Sequence, residues 1–223
     1  MGPSLTVALI TGFVLLAVGL LAWSYLAEKR RTEKMTLAAA DLGLAFHPTG
    51  APALIDELAS FHLFSQGRSK KIKNMLHGET GAVDVALFDY QYTTGGGKNS
   101  HTSHQTVAYF RSPNLDLPQF VLRPENVFHK IGGVLGYQDI DFDSHPRFSA
   151  HYLLRGASEP QIRRLFTDDV LTFFESQTGL SAEGSHDRLI FYRAGKRVDP
   201  DRVRPFFEEG FNVYALFARP PQT

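Results

Sequence analysis

From Leu5 to Ala27 the chain reads LTVALITGFVLLAVGLLAWSYLA, with no charged side chain anywhere in the stretch. As a helix it is about 34 Å long, enough to cross a hydrocarbon core of about 30 Å. A buried helix of a soluble protein rarely needs that length. No Lys or Arg precedes it, and EKRRTEK follows directly. A secretory signal has the opposite arrangement, with its basic residues in front and a small-residue cleavage site behind, so the pattern reads as a retained anchor. Lys29, Arg30, Arg31 and Lys34 all lie on the C-terminal flank, which the positive-inside rule keeps in the cytoplasm. The expected topology is a single pass through the inner (plasma) membrane, with residues 1–4 outside and the C-terminal domain inside. Trp23 and Tyr25 stand one turn before the charges, where amphipathic rings favour the headgroup layer. Ser4, Ala8 and Gly12 recur at four-residue spacing, a small-residue face through which two such helices can form a homodimer.

The remainder is long enough for one main domain. It follows a juxtamembrane basic segment and helical stem over 28–60, spans 61–217, and leaves a tail at 218–223. Eighteen Phe and eight Tyr supply aromatic surface to bury, which argues against global disorder. Lys plus Arg and Asp plus Glu are equal at 23 each, so there is no overall basic excess of the kind a dedicated nucleic-acid binder carries, and no nucleic-acid partner is expected. The absence of cysteine removes disulfides, thiolate nucleophiles and Cys-ligated metals.

Periodicity places the elements. Residues 32–45 are alanine-rich and helical, with Met35, Leu37, Ala38 and Leu42 on one face and a stop near Gly43. Residues 70–92 read as a hairpin turning at Glu79-Thr80-Gly81, and Ala86, Phe88, Tyr90 and Tyr92 form a period-two stripe expected to face a core. QTVAYFRS continues the meander and FVLR adds a short strand, followed by a helical turn from Glu125 to Ile131. QDIDFD and FSAHYLL are expected as two further strands. Ser158 and Gln161 make a capping box for one helix whose face carries Ile162, Leu165, Phe166, Val170, Phe173 and Phe174. A second hairpin over 180–193 follows, then a helix capped by Asp199 with Pro200 at its first position. Phe211 to Phe217 reads either as a last strand or as more helix. The expected fold class is therefore α+β: a transmembrane helix, then an antiparallel meander with hairpins packed against two or three helices.

Four constellations bear on chemistry. GGGK at 95–98 suggests a phosphate loop but lacks the first glycine and the Ser or Thr after the lysine, so it reads as a hairpin tip. His101 and His104 would converge on a metal only through a turn, since i and i+3 on a strand point to opposite faces. Asp139, Asp141 and Asp143 alternate, so an extended chain puts three carboxylates on one face with His145 beside them, a donor set suited to a hard cation. The bland reading is a half-exposed strand with Ile140 and Phe142 inward. Arg68, Lys70, Lys71 and Lys73 form the densest basic run, and with Lys29, Arg30, Arg31 and Lys34 they are candidate contacts to an anionic lipid surface. A solvated, lysine-protected edge strand is the alternative. No nucleophile elbow, HExxH or kinase motif occurs, and no cofactor is expected.

The runs LFDYQYTTGGGK, QTVAYFRS, LPQFVLRPE, KIGG and FSAHYLLRG resemble uncharacterised bacterial single-pass membrane proteins with a C-terminal domain of unknown function. The resemblance implies a bacterial membrane protein and assigns no site residues. The leading reading is a membrane-anchored, cytoplasmic-facing binding or scaffolding module, held in lipid through residues 5–27, with a protein partner at the inner membrane. Two alternatives remain: a metal-dependent hydrolase or transferase built on Asp139, Asp141, Asp143 and His145, and an anionic-lipid-surface sensor.

Overall fold

The computed structural model describes residues 3–125 and 138–218, with side chains from residue 9 onward. The expected helical turn from Glu125 to Ile131, the KIGG run and most of the tail therefore lie outside the described residues. Helix α1 (Pro3–Leu42) is continuous over 40 residues. No proline after Pro3 and only two glycines, Gly12 and Gly19, interrupt this stretch, so the apolar span and the alanine-rich stem form one rod. Its N-terminal part has no partner among the described residues: Phe13, Leu15, Leu21 and Trp23 are all largely exposed. By length and composition this helix can cross a membrane.

The rest is an eight-stranded antiparallel sheet in the order β1-β2-β3-β4-β8-β7-β5-β6. The strands are β1 (Ala45–His47), β2 (Arg68–Thr80), β3 (Val83–Thr94), β4 (His101–Arg111), β5 (Leu117–Pro124), β6 (Tyr152–Gly156), β7 (Ser181–His186) and β8 (Arg188–Tyr192). The long hairpins β2–β3 and β3–β4 form as the alternation predicts, and the GGGK stretch lies at the β3–β4 tip with a 3-10 turn at Gly97–Asn99. Helices cover both faces of the sheet: α2 (Pro52–Glu57), α3 (His62–Ser65), α4 (Pro146–His151), α5 (Glu159–Leu165), α6 (Asp168–Ser176) and α7 (Val203–Phe217). The fold class is α+β.

Burial on both sides explains the composition of β3. Val85 and Leu87 face the larger core, shared with Met35 and Ala39 of α1 and with Phe206, Val213 and Phe217 of α7. Ala86, Phe88, Tyr90 and Tyr92 face the second core, where Leu58, Phe61 and Phe64 of the α2–α3 region pack on them. The predicted aromatic stripe is thus a core face. The stem read as leading up to a domain at residue 61 is itself part of the fold, because Met35 and Ala39 are buried and β1 pairs with β2.

Three local expectations fail for physical reasons. QDIDFD is irregular and forms no strand ladder, although Ile140 N donates to Leu154 O and Ile140 and Phe142 do point inward. FSAHYLL begins as α4, opened by Pro146 at its first turn, and becomes strand β6 only at Tyr152. The single helix after Ser158 is two, broken at Phe166-Thr167, and the Ser158 side chain makes no cap bond. Phe166 turns into the core and packs edge-on against Phe120, an arrangement that a straight helix does not provide. Asp199 does cap its turn, accepting from Asp201 N at 3.0 Å, and residues 211–217 continue α7 as helix.

Gly184 on β7 pairs with Phe120 on β5, and a methyl there would meet the Phe120 ring and, at 2.9 Å, Leu117 Cδ1. Gly184→Ala is expected to destabilise by about 1–3 kcal/mol, read as a lowered thermal midpoint of the detergent-solubilised chain.

Candidate functional site

Helix α1 meets the sheet at a buried polar node. Arg31 projects from α1 and grips Asp89 of β3 with both ends of its fork, Nε to Oδ2 at 2.7 Å and Nη2 to Oδ1 at 2.6 Å. The side chains of the pair are only 11% and 8% exposed. Asp89 also accepts from Asn74 Nδ2 at 3.0 Å and from Thr106 Oγ1 at 2.9 Å. Arg31 Nη1 donates to Val198 O at 2.8 Å, and Val198 N donates to Thr106 Oγ1 at 2.9 Å. Asn74 reaches this position because a bulge in β2 holds it at φ 49, a left-handed conformation that asparagine tolerates. Three outer ion pairs flank the node: Arg197–Glu28 at 2.7 Å, Lys34–Asp201 at 2.9 Å and Arg204–Asp41 at 2.7 Å. Being exposed, these contribute little individually. Hydrogen bonding and attraction to Asp201 raise the pKa of Lys34.

Beside the node, between α1 and the sheet, lies a cleft of about 320 Å³. Ser24 and Glu28 form its helix wall, and Lys71, Lys73, His104 and Arg197 contribute to the sheet side. Lys71 and Lys73 flank the buried Ile72, so alternation turns both toward the α1 face. Burial, and then Arg197, lowers the pKa of His104.

The opposite face of the sheet holds a second buried cluster. Glu183 of β7 is 1% exposed and accepts from Tyr192 Oη at 2.7 Å and from Leu63 N at 3.1 Å. Burial raises the Glu183 pKa, opposed by the Tyr192 bond and by Arg123, and raises that of Tyr192 well above the usual phenol range. Arg123 Nη1, Tyr90 Oη and His62 Nε2 are buried without a hydrogen-bond partner among the described residues. Burial, with Arg123 adding to it, pushes the His62 pKa down to about 4. His62 is therefore neutral at pH 7, with the Arg123 guanidinium near it.

The residues singled out by pattern scatter. His101 and His104 lie on β4 rather than in a loop, opposite Thr94 and Gln91, with their side chains on opposite faces. Asp139 turns inward, where its Oδ1 accepts from Leu154 N at 2.8 Å and Ile140 N at 3.1 Å, and burial raises its pKa. Asp141 and Asp143 are exposed, and His145 Nδ1 stands 4.0 Å from Asp168. The expected three-carboxylate face does not form, because the carboxylate of Asp139 turns in to accept from Leu154 N in the middle of β6. Among the described residues no three His, Asp or Glu side chains are grouped to hold a metal. Of the basic residues, Arg31 is committed to Asp89, Arg68 binds Gly95 O and Ser100 Oγ, and Lys70 reaches Phe64 O. Lys29, Arg30, Lys71 and Lys73 stay exposed.

The sequence reading passed over Asp89 and Glu183. Asp89 stands between Phe88 and Tyr90 in an otherwise aromatic and aliphatic run, and Glu183 among small residues, and a carboxylate in such a setting was the available signal.

No family model matches the chain, and no curated protein is significantly similar to it. Among solved structures, the crystal structure of the mycobacterial trehalose monomycolate transport factor A, TtfA, superposes with a TM-score of 0.58 at 10% sequence identity. The match covers 86% of this chain and 98% of that one. At this identity the likeness establishes a shared fold.

Removing one partner of a buried ion pair strands the other, so Arg31→Ala is expected to cost about 3–5 kcal/mol. In a double-mutant cycle with Asp89→Ala, the second substitution should add much less than its own single effect. For His62 the unfolded chain takes up a proton near 6.5 while the folded chain resists until about 4. Its contribution is thus complete above 6.5 and is lost as pH falls toward 4. Unfolding midpoints against pH should flatten in that window for His62→Gln.

Proposed function

We propose that this chain is a membrane-anchored binding module of a bacterial inner membrane, with its folded part in the cytoplasm, presenting that part to a partner protein of the same membrane. The observation that carries the reading is α1, which passes without a break from a partnerless apolar rod into the core of the domain. An apolar surface of that extent in water is a liability unless lipid or protein covers it. Lys29, Arg30, Arg31 and Lys34 favour the cytoplasmic side for the domain. That preference acts while the chain inserts, before Arg31 can find Asp89, so the later pairing leaves it intact.

Tethering confines a binding domain to a thin layer and raises its effective concentration for partners there. Seating the tether in the core also limits the orientations in which the domain meets them. The fold shared with a transport factor supports, as an analogy of fold, a role accessory to a membrane transport system. The resemblance of several sequence runs to bacterial single-pass membrane proteins points the same way. Dispersal of Asp139, Asp141, Asp143 and His145 weighs against the metal-dependent hydrolase or transferase.

The test uses the full chain in its own membrane. Protease added outside intact cells should leave the C-terminal domain uncut. Photo-crosslinking from the domain surface should repeatedly trap one integral membrane protein. A flexible Gly-Ser insert between Ala27 and Glu28 should reduce that yield about tenfold while preserving anchoring and fold. An undiminished yield from the anchor-free fragment 28–223, or digestion of the domain from outside, overturns the reading.

A further inference from the structure

The cleft between α1 and the sheet has three properties that together specify a ligand. The first is its depth. Ser24 lies between Trp23 and Tyr25, three residues before the apolar run ends at Ala27, so the helix wall of the cleft stands at the headgroup level of any bilayer that α1 crosses. The β3–β4 hairpin points the same way. Arg31 of α1 meets Asp89 and approaches Thr106, whereas Ser24 and Glu28 lie beside Gln91 and His104, so the hairpin runs from the node back along α1 toward the apolar span. Its tip, with Lys98 and the Arg68 that clasps Gly95 and Ser100, continues in that direction.

The second property is charge. Two carboxylates touch the cleft, and both are already engaged, Asp89 by Arg31 and Glu28 by Arg197. Lys71 and Lys73 have no carboxylate partner among the described residues and leave the cleft a net cationic site. The third is donor chemistry. The Ser24 hydroxyl, an imidazole N–H of His104 and two ammonium groups offer hydrogen bonds to one anion of several oxygens.

We propose that this cleft binds the phosphate of an anionic phospholipid from the leaflet in which the apolar run of α1 ends. The phosphodiester takes the ammonium groups of Lys71 and Lys73 from the sheet side and the Ser24 hydroxyl from the helix side. The acyl chains lie along α1, where Leu20 and Leu21 are exposed. Bound this way, the lipid bridges the membrane helix to the sheet on the bilayer side of the Arg31–Asp89 node. The inference rests on α1 being retained in a bilayer.

Trp23 is the only tryptophan, and it precedes the cleft-lining Ser24 in the chain, so it serves as the probe. The full chain is reconstituted in phosphatidylcholine vesicles containing a small, equal fraction of brominated phosphatidylcholine or brominated phosphatidylglycerol. Quenching of Trp23 should report about a tenfold preference for phosphatidylglycerol at low salt. Lys71→Gln/Lys73→Gln should bring that preference to unity. Both lysines are exposed, so the fold should survive. Arg147→Gln/Arg164→Gln, which removes the same charge at the other end of the sheet, should keep it. Equal quenching by the two lipids, or a preference unchanged in the lysine variant, overturns the proposal. Loss of the preference on adding inorganic phosphate at matched ionic strength also overturns it, since the anion then comes from solution. If neither brominated lipid quenches Trp23, the anchor itself fails and both readings fall together.

Discussion

The Arg31–Asp89 pair is the interaction on which the architecture turns. A carboxylate inside an apolar strand is tolerable only when its lone pairs are filled, and Asp89 has two bonds from the Arg31 fork and one each from Asn74 and Thr106. Every one of those donors comes from a different element, so the node sets the angle at which α1 crosses β2, β3 and β4. Apolar contacts of Met35 and Ala39 further along α1 supply adhesion but not register. The node fixes where along the helix the domain begins, and the outer pairs at Glu28, Lys34 and Asp41 follow from that placement.

The sheet divides the molecule into two cores with different characters. On the α1 and α7 side, Phe120, Phe166, Phe174 and Phe217 form a chain of tilted and edge-on ring contacts. On the α2 and α3 side the packing is thinner, and Glu183, Tyr192, Arg123 and His62 bring polarity into the interior. Buried polarity that is only partly satisfied is costly, so this second face is the softer half of the fold. The two polar centres, Asp89 and Glu183, lie on opposite faces of the same sheet, and their surroundings belong to separate cores.

Much of this was legible in the residues. The uncharged run from Leu5 to Ala27 announced the long helix, and the period-two stripe from Ala86 to Tyr92 announced β3 and its core face. Where one local pattern served two structures, legibility stopped. FSAHYLL has strand-like residues, but Pro146 opens a helical turn ahead of it, and tertiary packing of Phe148 decides the outcome. The run after Ser158 has a helical face throughout, yet the chain breaks so that Phe166 can reach Phe120. For the candidate sites, alternation about Ile72 was enough to expect Lys71 and Lys73 on one exposed face. Spacing is silent, however, about which charges are consumed in pairs. Arg31 looked like its neighbours Lys29 and Arg30, and only the third dimension separates a buried clamp from a solvated collar. The alternating aspartates failed for the converse reason, since a backbone that never becomes a strand cannot present them on one face.

Because α1 has no joint between its bare apolar length and the sheet, the domain cannot sway independently of the rod that carries it. Membrane helices tilt with bilayer thickness and with pressure from neighbours. A change of about ten degrees displaces a point about 30 Å further along a stiff rod by about 5 Å. Wherever a bilayer holds the apolar length of α1, the rod is a lever arm that would turn a small tilt into a displacement as large as a side chain at its far end.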